Sequence, residues 1–63
     1  MRMRQVEQEI LKYIEDNNGD FFGGIARRLR LPNKVLLEHL INLKSKGLIY
    51  KDNDGGRFKL SGQ

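Results

Sequence analysis

A chain of 63 residues without a single cysteine must hold itself together by packing alone. At this length folding buries only about 60% of the surface that the unfolded chain exposes, so the core is small and the margin of stability narrow. Neither a disulfide nor a thiolate metal site can reinforce it. The one histidine, His39, cannot hold a metal by itself. A single domain over residues 1–63, built from short elements, is the expectation, and association between copies would add buried area.

Hydrophobic spacing predicts where those elements lie. Val6, Ile10, Tyr13 and Ile14 share one helical face, and Asn17-Asn18-Gly19 supplies residues that tolerate the left-handed conformation in which helices often end. This predicts a first helix over Val6–Asn17. Asp20-Phe21-Phe22 reads as a brief extended segment that lays one ring in the core. Gly23-Gly24 then precede a short second helix with Ile25, Ala26 and Leu29 inward and Arg27 and Arg28 outward. Paired glycines ahead of a helix also suit an anion-binding turn, but no strand precedes them and a simple helix start is the stronger reading.

Leu31-Pro32-Asn33 breaks the chain, because proline disfavours helix in the residue before it and asparagine is a good N-cap. A third helix is expected from about Lys34 to Lys46, stopped by Gly47. Leu36, Leu40 and Leu43 form its inner face, with Lys34, Glu38, Ile41, Asn42 and Ser45 opposite and Val35, Leu37 and His39 on the flanks. The period then becomes strand-like. Leu48-Ile49-Tyr50-Lys51 and Arg57-Phe58-Lys59-Leu60 flank Asp52-Asn53-Asp54-Gly55-Gly56, a hairpin pattern with Phe58 and Leu60 inward and Arg57 and Lys59 toward solvent. Ser61-Gly62-Gln63 reads as a frayed tail. No repeat, linker or low-complexity segment interrupts the chain.

Charge is divided unevenly along this order. Residues 1–20 carry three cations against five acids, net −2, whereas residues 21–63 carry nine against three, net +6. Such asymmetry points to a basic face for a polyanion.

Helix, extended segment, helix, turn, helix and hairpin is the order of a winged helix, and the residues resemble that superfamily. Ile25-Ala26-Arg27-Arg28-Leu29-Arg30-Leu31 is similar to its second helix and turn. Leu36, Leu40 and Leu43, followed by Lys46-Gly47-Leu48-Ile49, are similar to its third helix running into the first wing strand. The resemblance spans Val6 to Leu60. It implies an α+β, mostly α fold: a minimal winged helix, that is, a three-helix bundle closed by a C-terminal two-stranded β-hairpin. It further implies double-stranded DNA as partner, with the third helix in the major groove and the wing (48–60) on the backbone, as in a small transcriptional regulator or architectural protein. Carried over by position, Asn33, Lys34, Leu37, Glu38 and Ile41 would read bases. Lys51, Arg57 and Lys59 would serve the wing, and Arg27 and Arg28 would approach phosphate.

The third helix departs from a usual base-reading surface, since Leu37 and Ile41 are apolar and Glu38 repels phosphate. The alternative is a protein-interaction module docking through Val35, Leu37 and Ile41. The size and the Pro32-Asn33-Lys34 turn also resemble Z-form-binding winged helices. Those rely on polar and tyrosine contacts that Leu37, Glu38 and Ile41 do not provide, so that reading is set aside. A homodimer is expected to use the first helix or the exposed face of the third, because Leu60 lies three residues from the end of the sequence.

No nucleophile-base pair marks an enzyme, and so small a core offers little room for a catalytic or small-molecule pocket. No cofactor or metal is expected. His39 reads as a half-buried packing residue. Tyr13 and Tyr50 read as core or sheet residues, and no aromatic-rich sheet suggests single-stranded RNA. No apolar run approaches the roughly 20 residues of a membrane span. The basic start Met1-Arg2-Met3-Arg4-Gln5 runs into Glu7-Gln8-Glu9 instead of a signal-peptide apolar stretch. A soluble, cytoplasmic chain is the expectation.

Overall fold

A computed structural model describes residues 3–62; Met1, Arg2 and Gln63, which belong to the basic start and the tail, lie outside the described residues. The chain forms α1 (Met3–Asp16), α2 (Phe22–Leu29), α3 (Asn33–Ser45), β1 (Ile49–Lys51) and β2 (Phe58–Leu60). The strands pair antiparallel with Ile49 opposite Leu60, Tyr50 opposite Lys59 and Lys51 opposite Phe58. This is the expected α+β, mostly helical layout of a minimal winged helix. No helix among the described residues is long and apolar enough to cross a membrane.

One core serves every element. Val6, Ile10 and Ile14 of α1 meet Ile25 and Ala26 of α2, Leu36, Leu40 and Leu43 of α3, Ile49 of β1 and Phe58 of β2. Burying each large aliphatic side chain of this set contributes roughly 1.5–3 kcal/mol. The extended segment between the first two helices is real but a single residue long. Asp20 bridges Phe58, with its amide 3.2 Å from the Phe58 carbonyl oxygen and the Phe58 amide 2.8 Å from its own. Phe22 already begins α2 and packs against the core, so Gly23 and Gly24 lie inside the helix and not ahead of it. Phe21, the other ring, stays outside.

All three helices end in the same way. Amides of Gly19, Leu31 and Leu48 reach back to the carbonyls of Ile14, Ala26 and Leu43, five residues earlier. Those of Asn18, Arg30 and Gly47 bond the carbonyls of Glu15, Arg27 and Lys44. This Schellman pattern needs a left-handed residue at its corner, supplied by Asn18 (φ 55°), Arg30 (φ 55°) and Gly47 (φ 74°). Arginine is the costly choice, because a Cβ in that conformation crowds the following carbonyl by about 1–2 kcal/mol. Arg30→Gly is expected to raise stability by about 1 kcal/mol. A thermal melt would show it as a gain of about 4–8 °C, and an unchanged or lower melting temperature would contradict this account.

Two further boundaries differ from expectation. Pro32, not Asn33, occupies the N-cap of α3; its carbonyl accepts the Leu36 amide at 3.0 Å, and no side chain caps the helix. Proline fits there because its φ of −58° is the one its ring imposes, and its missing amide is not needed ahead of the first turn. In the wing the Asp52 side chain takes up the Asp54 amide, and the positive φ falls on Gly56. Ser61, read as frayed, donates to the Leu48 carbonyl and prolongs the ladder by one bond.

Candidate nucleic-acid interface

The exposed side of α3 carries Asn33, Lys34, Leu37, Glu38, Ile41, Lys44 and Ser45. Every base-reading candidate is therefore on the surface, because Leu36, His39, Leu40 and Leu43 take the inner face. Leu37 and Ile41 stand one turn apart and are 50% and 56% exposed, an apolar strip between Lys34 and Lys44. Val35 is half-buried and adds little to that strip.

The acids decide how much of the positive charge is left over. Glu7, read in sequence as part of a polar stretch, is buried against α3. Its Oε2 lies 3.0 Å from His39 Nδ1 and accepts from Asn42 Nδ2 at 2.8 Å, while Oε1 faces Lys46 Nζ at 3.3 Å. An ionised carboxylate only accepts, so His39 carries its proton on Nδ1 and donates. The hydrogen bonds from His39 and Asn42, aided by Lys46, hold the Glu7 pKa down at about 2 despite burial. His39 is thus a fully buried polar partner and not a half-buried packing residue, and Asn42 is drawn off the exposed face.

Asp20 is engaged in a similar way. Its carboxylate accepts from the Tyr13 hydroxyl and, at 2.7 Å, from the Phe21 amide. The Tyr13 bond is the chief reason its pKa falls below the usual carboxylate range, with Arg57 and Arg28 adding their positive charge. Gly24 matters here: a Cβ at that position would come 2.5 Å from the Asp20 carboxylate. Gly24 alone of the pair therefore makes room for an anion at the start of α2, and the anion is the chain's own aspartate, since a Cβ on Gly23 would meet nothing within 4 Å.

The wing residues are partly spoken for. Lys59 Nζ pairs with Asp52 at 3.3 Å. The Arg57 guanidinium stacks 4.7 Å from the centre of the Phe21 ring and donates to the Gly19 carbonyl at 3.4 Å. Both are half-buried, in contrast to the solvent-facing placement expected for them; Arg57 ties the wing to the start of α2, whereas Lys59 pairs within the wing. Lys51 is exposed, its ammonium 5.9 Å from the Phe58 ring centre. Among the described residues, Arg27, Arg28, Arg30, Lys34, Lys44 and Lys51 form no ion pair and are all exposed. Over the same α2-to-wing stretch the unpaired acids are Glu38 and Asp54.

Among the described residues no three His, Cys, Asp or Glu side chains gather as a metal site would require. No family model matches the chain, and no curated protein or solved structure does.

Proposed function

We propose that the chain binds double-stranded DNA, as a small transcriptional regulator or architectural protein. In this reading α3 lies in the major groove, and basic residues of α2, the α2–α3 turn and β1 rest on the phosphates. The observation that carries it is the set of six unpaired, exposed cations from Arg27 to Lys51, left over once Glu7, Asp20 and Asp52 are engaged by other side chains of the chain. Phosphate contacts by lysine and arginine release counterions and dominate affinity. Asn33 and Lys34 sit at the start of α3, and Leu37 and Ile41 are suited to thymine methyl groups, with Glu38 suited to the cytosine amine. Arg57 and Lys59 act on the shape of the wing and less on the nucleic acid. The mechanism is recognition without chemistry, so neither enzyme activity nor a cofactor is part of the proposal.

The test is fluorescence anisotropy of a labelled random duplex at three salt concentrations. Binding should weaken steeply with salt, and Lys34→Ala/Lys51→Ala should lower affinity about tenfold and the salt slope by about one per lysine. Arg30→Gly should weaken binding while stabilising the fold. No binding even at low salt would sink the proposal. The second reading, a protein-docking module, rests on the half-exposed Leu37 and Ile41; it would then gain ground if Leu37→Ser/Ile41→Ser left the melt unchanged and removed a protein contact.

A further inference from the structure

A second surface lies away from the proposed DNA face. Two adjoining hollows, of about 330 and 490 Å³, run along α1 and share Gln8, Leu11 and Leu48. Leu43 floors one and Leu60 the other, so a leucine-lined trough follows the helix. Leu48 is 43% exposed in it, although it follows directly on the turn that ends α3. A leucine at that corner needs only to touch its own helix end; the remaining apolar surface is left uncovered.

Each end of the trough carries one acid and one base, Glu7 and Lys46 at one and Lys12 and Glu15 at the other, but the group left free to pair differs. Lys46 and Asn42 stand at one end, beside the first turns of α1. Glu15 and Ser61 stand at the other, beside its last turn. Lys46 is bonded to Glu7 through one donor, yet its side chain is 54% exposed, and an ammonium has three donors to give. Glu15 has no ion-pair partner among the described residues. Lys12, next to it, is already paired with Asp16.

We propose that this trough is the seat of a second copy of the same chain. A two-fold axis passing beside Leu11 and Leu48 reverses the trough, so the Lys46 end of each molecule meets the Glu15 end of the other. The leucines are covered and the same ion pair forms twice, which is the self-complementarity that an isologous interface requires. A partner of uniform charge would satisfy only one end. Stable interfaces cover about 800 Å² per partner, about a sixth of the 4727 Å² that this molecule exposes. A small interface of this kind makes a weak, transient dimer. Asn42, Leu43 and Lys46 lie more than about 90° around α3 from Leu37 and Ile41, so dimerisation leaves the proposed DNA face open. The proposal does not depend on the DNA reading.

Sedimentation velocity of the full chain from about 5 to about 500 µM, a range that covers micromolar to near-millimolar dissociation constants, tests it. Growth toward twice the monomer mass with concentration is expected. Leu48→Glu should abolish it with the circular dichroism spectrum and melt retained. Glu15→Lys should weaken it about tenfold at low salt, and that difference should shrink at about 1 M salt. If Leu48→Glu disturbs folding, the Glu15→Lys result decides, because that side chain is exposed and unpaired. A chain that stays monomeric throughout overturns the proposal, as does a dimer indifferent to both substitutions.

Discussion

Glu7→Ala is expected to leave most of the protein unfolded at room temperature. The substitution deletes the shared acceptor of His39, Asn42 and Lys46 and strands His39, which is 5% exposed, without a partner. Removing one member of a buried, hydrogen-bonded pair costs about 3–5 kcal/mol, comparable to the whole stability of a domain this small, about 3–5 kcal/mol. Circular dichroism melts check it directly. The companion variant Glu7→Leu/His39→Leu separates pairing from packing. Replacing both partners by apolar side chains of similar size is often neutral or stabilising, while Asn42 and Lys46 can turn to water. The double variant should therefore melt well above Glu7→Ala. If it melts lower, the polar pair is holding α1 against α3 in a way that apolar contact cannot replace.

The same carboxylate sets the acid response. Its folded-state pKa is lowered from the ordinary value of 4.5 to about 2. A depressed carboxylate stabilises the fold fully above its unfolded value, and that contribution is lost as the pH falls toward the folded value. Stability should thus hold down to about pH 4.5 and decline between there and pH 2. Glu7→Gln, already weaker at neutral pH, should show a flatter decline through that window.

Gly19→Ala is the second large effect. The glycine sits at φ +95°, and a Cβ there would come 2.8 Å from the Phe58 carbonyl oxygen and 2.9 Å from Lys59 Cγ. A flexible side chain can move aside, but the carbonyl belongs to the bridge with Asp20 and cannot. The left-handed conformation alone costs about 1–2 kcal/mol, and displacing the bridge should bring the loss to about 3 kcal/mol or more. Gly47→Ala is the control. It shares the positive φ, at +74°, but its Cβ would meet nothing within 4 Å. It should lose only the conformational part, about 1 kcal/mol. Equal losses at the two sites would mean that the contact with β2 contributes nothing.

The contrast between Gly19 and Glu7 shows what could be read in advance. That Asn17-Asn18-Gly19 ends a helix follows from local backbone preference, which acts over four or five residues and is written in the sequence. That Gly19 also lies under β2 is a contact across about forty residues, and no local preference encodes it. Glu7 is the harder case. It stands between Val6 and Gln8 in a polar stretch, yet seven residues on lies Ile14, on nearly the same helical face. His39 likewise sits three residues after Leu36 and four before Leu43. Each step was a signal of burial, but burying either residue alone carries a penalty that only the other removes. Their pairing required knowing how α1 crosses α3.

Among the site residues, the exposure of Lys34, Leu37, Glu38 and Ile41 followed from the leucine period, because a helix with one buried face must show the other. The placement of Arg57 and Lys59 did not follow. Alternation along β2 turned them away from the core, but Phe21 and Asp52, brought close by the folded wing, then engaged them.

By itself the sequence determined the three helices, the stops of the first and third, the hairpin and the apolar core, all set by local conformation and by the 3.6- and 2-residue periods. Only the tertiary structure decided which charges stay free. An ion pair or a buried carboxylate depends on distances between elements far apart in the chain, and electrostatic energy follows those distances and the local exposure to water, not the order of residues.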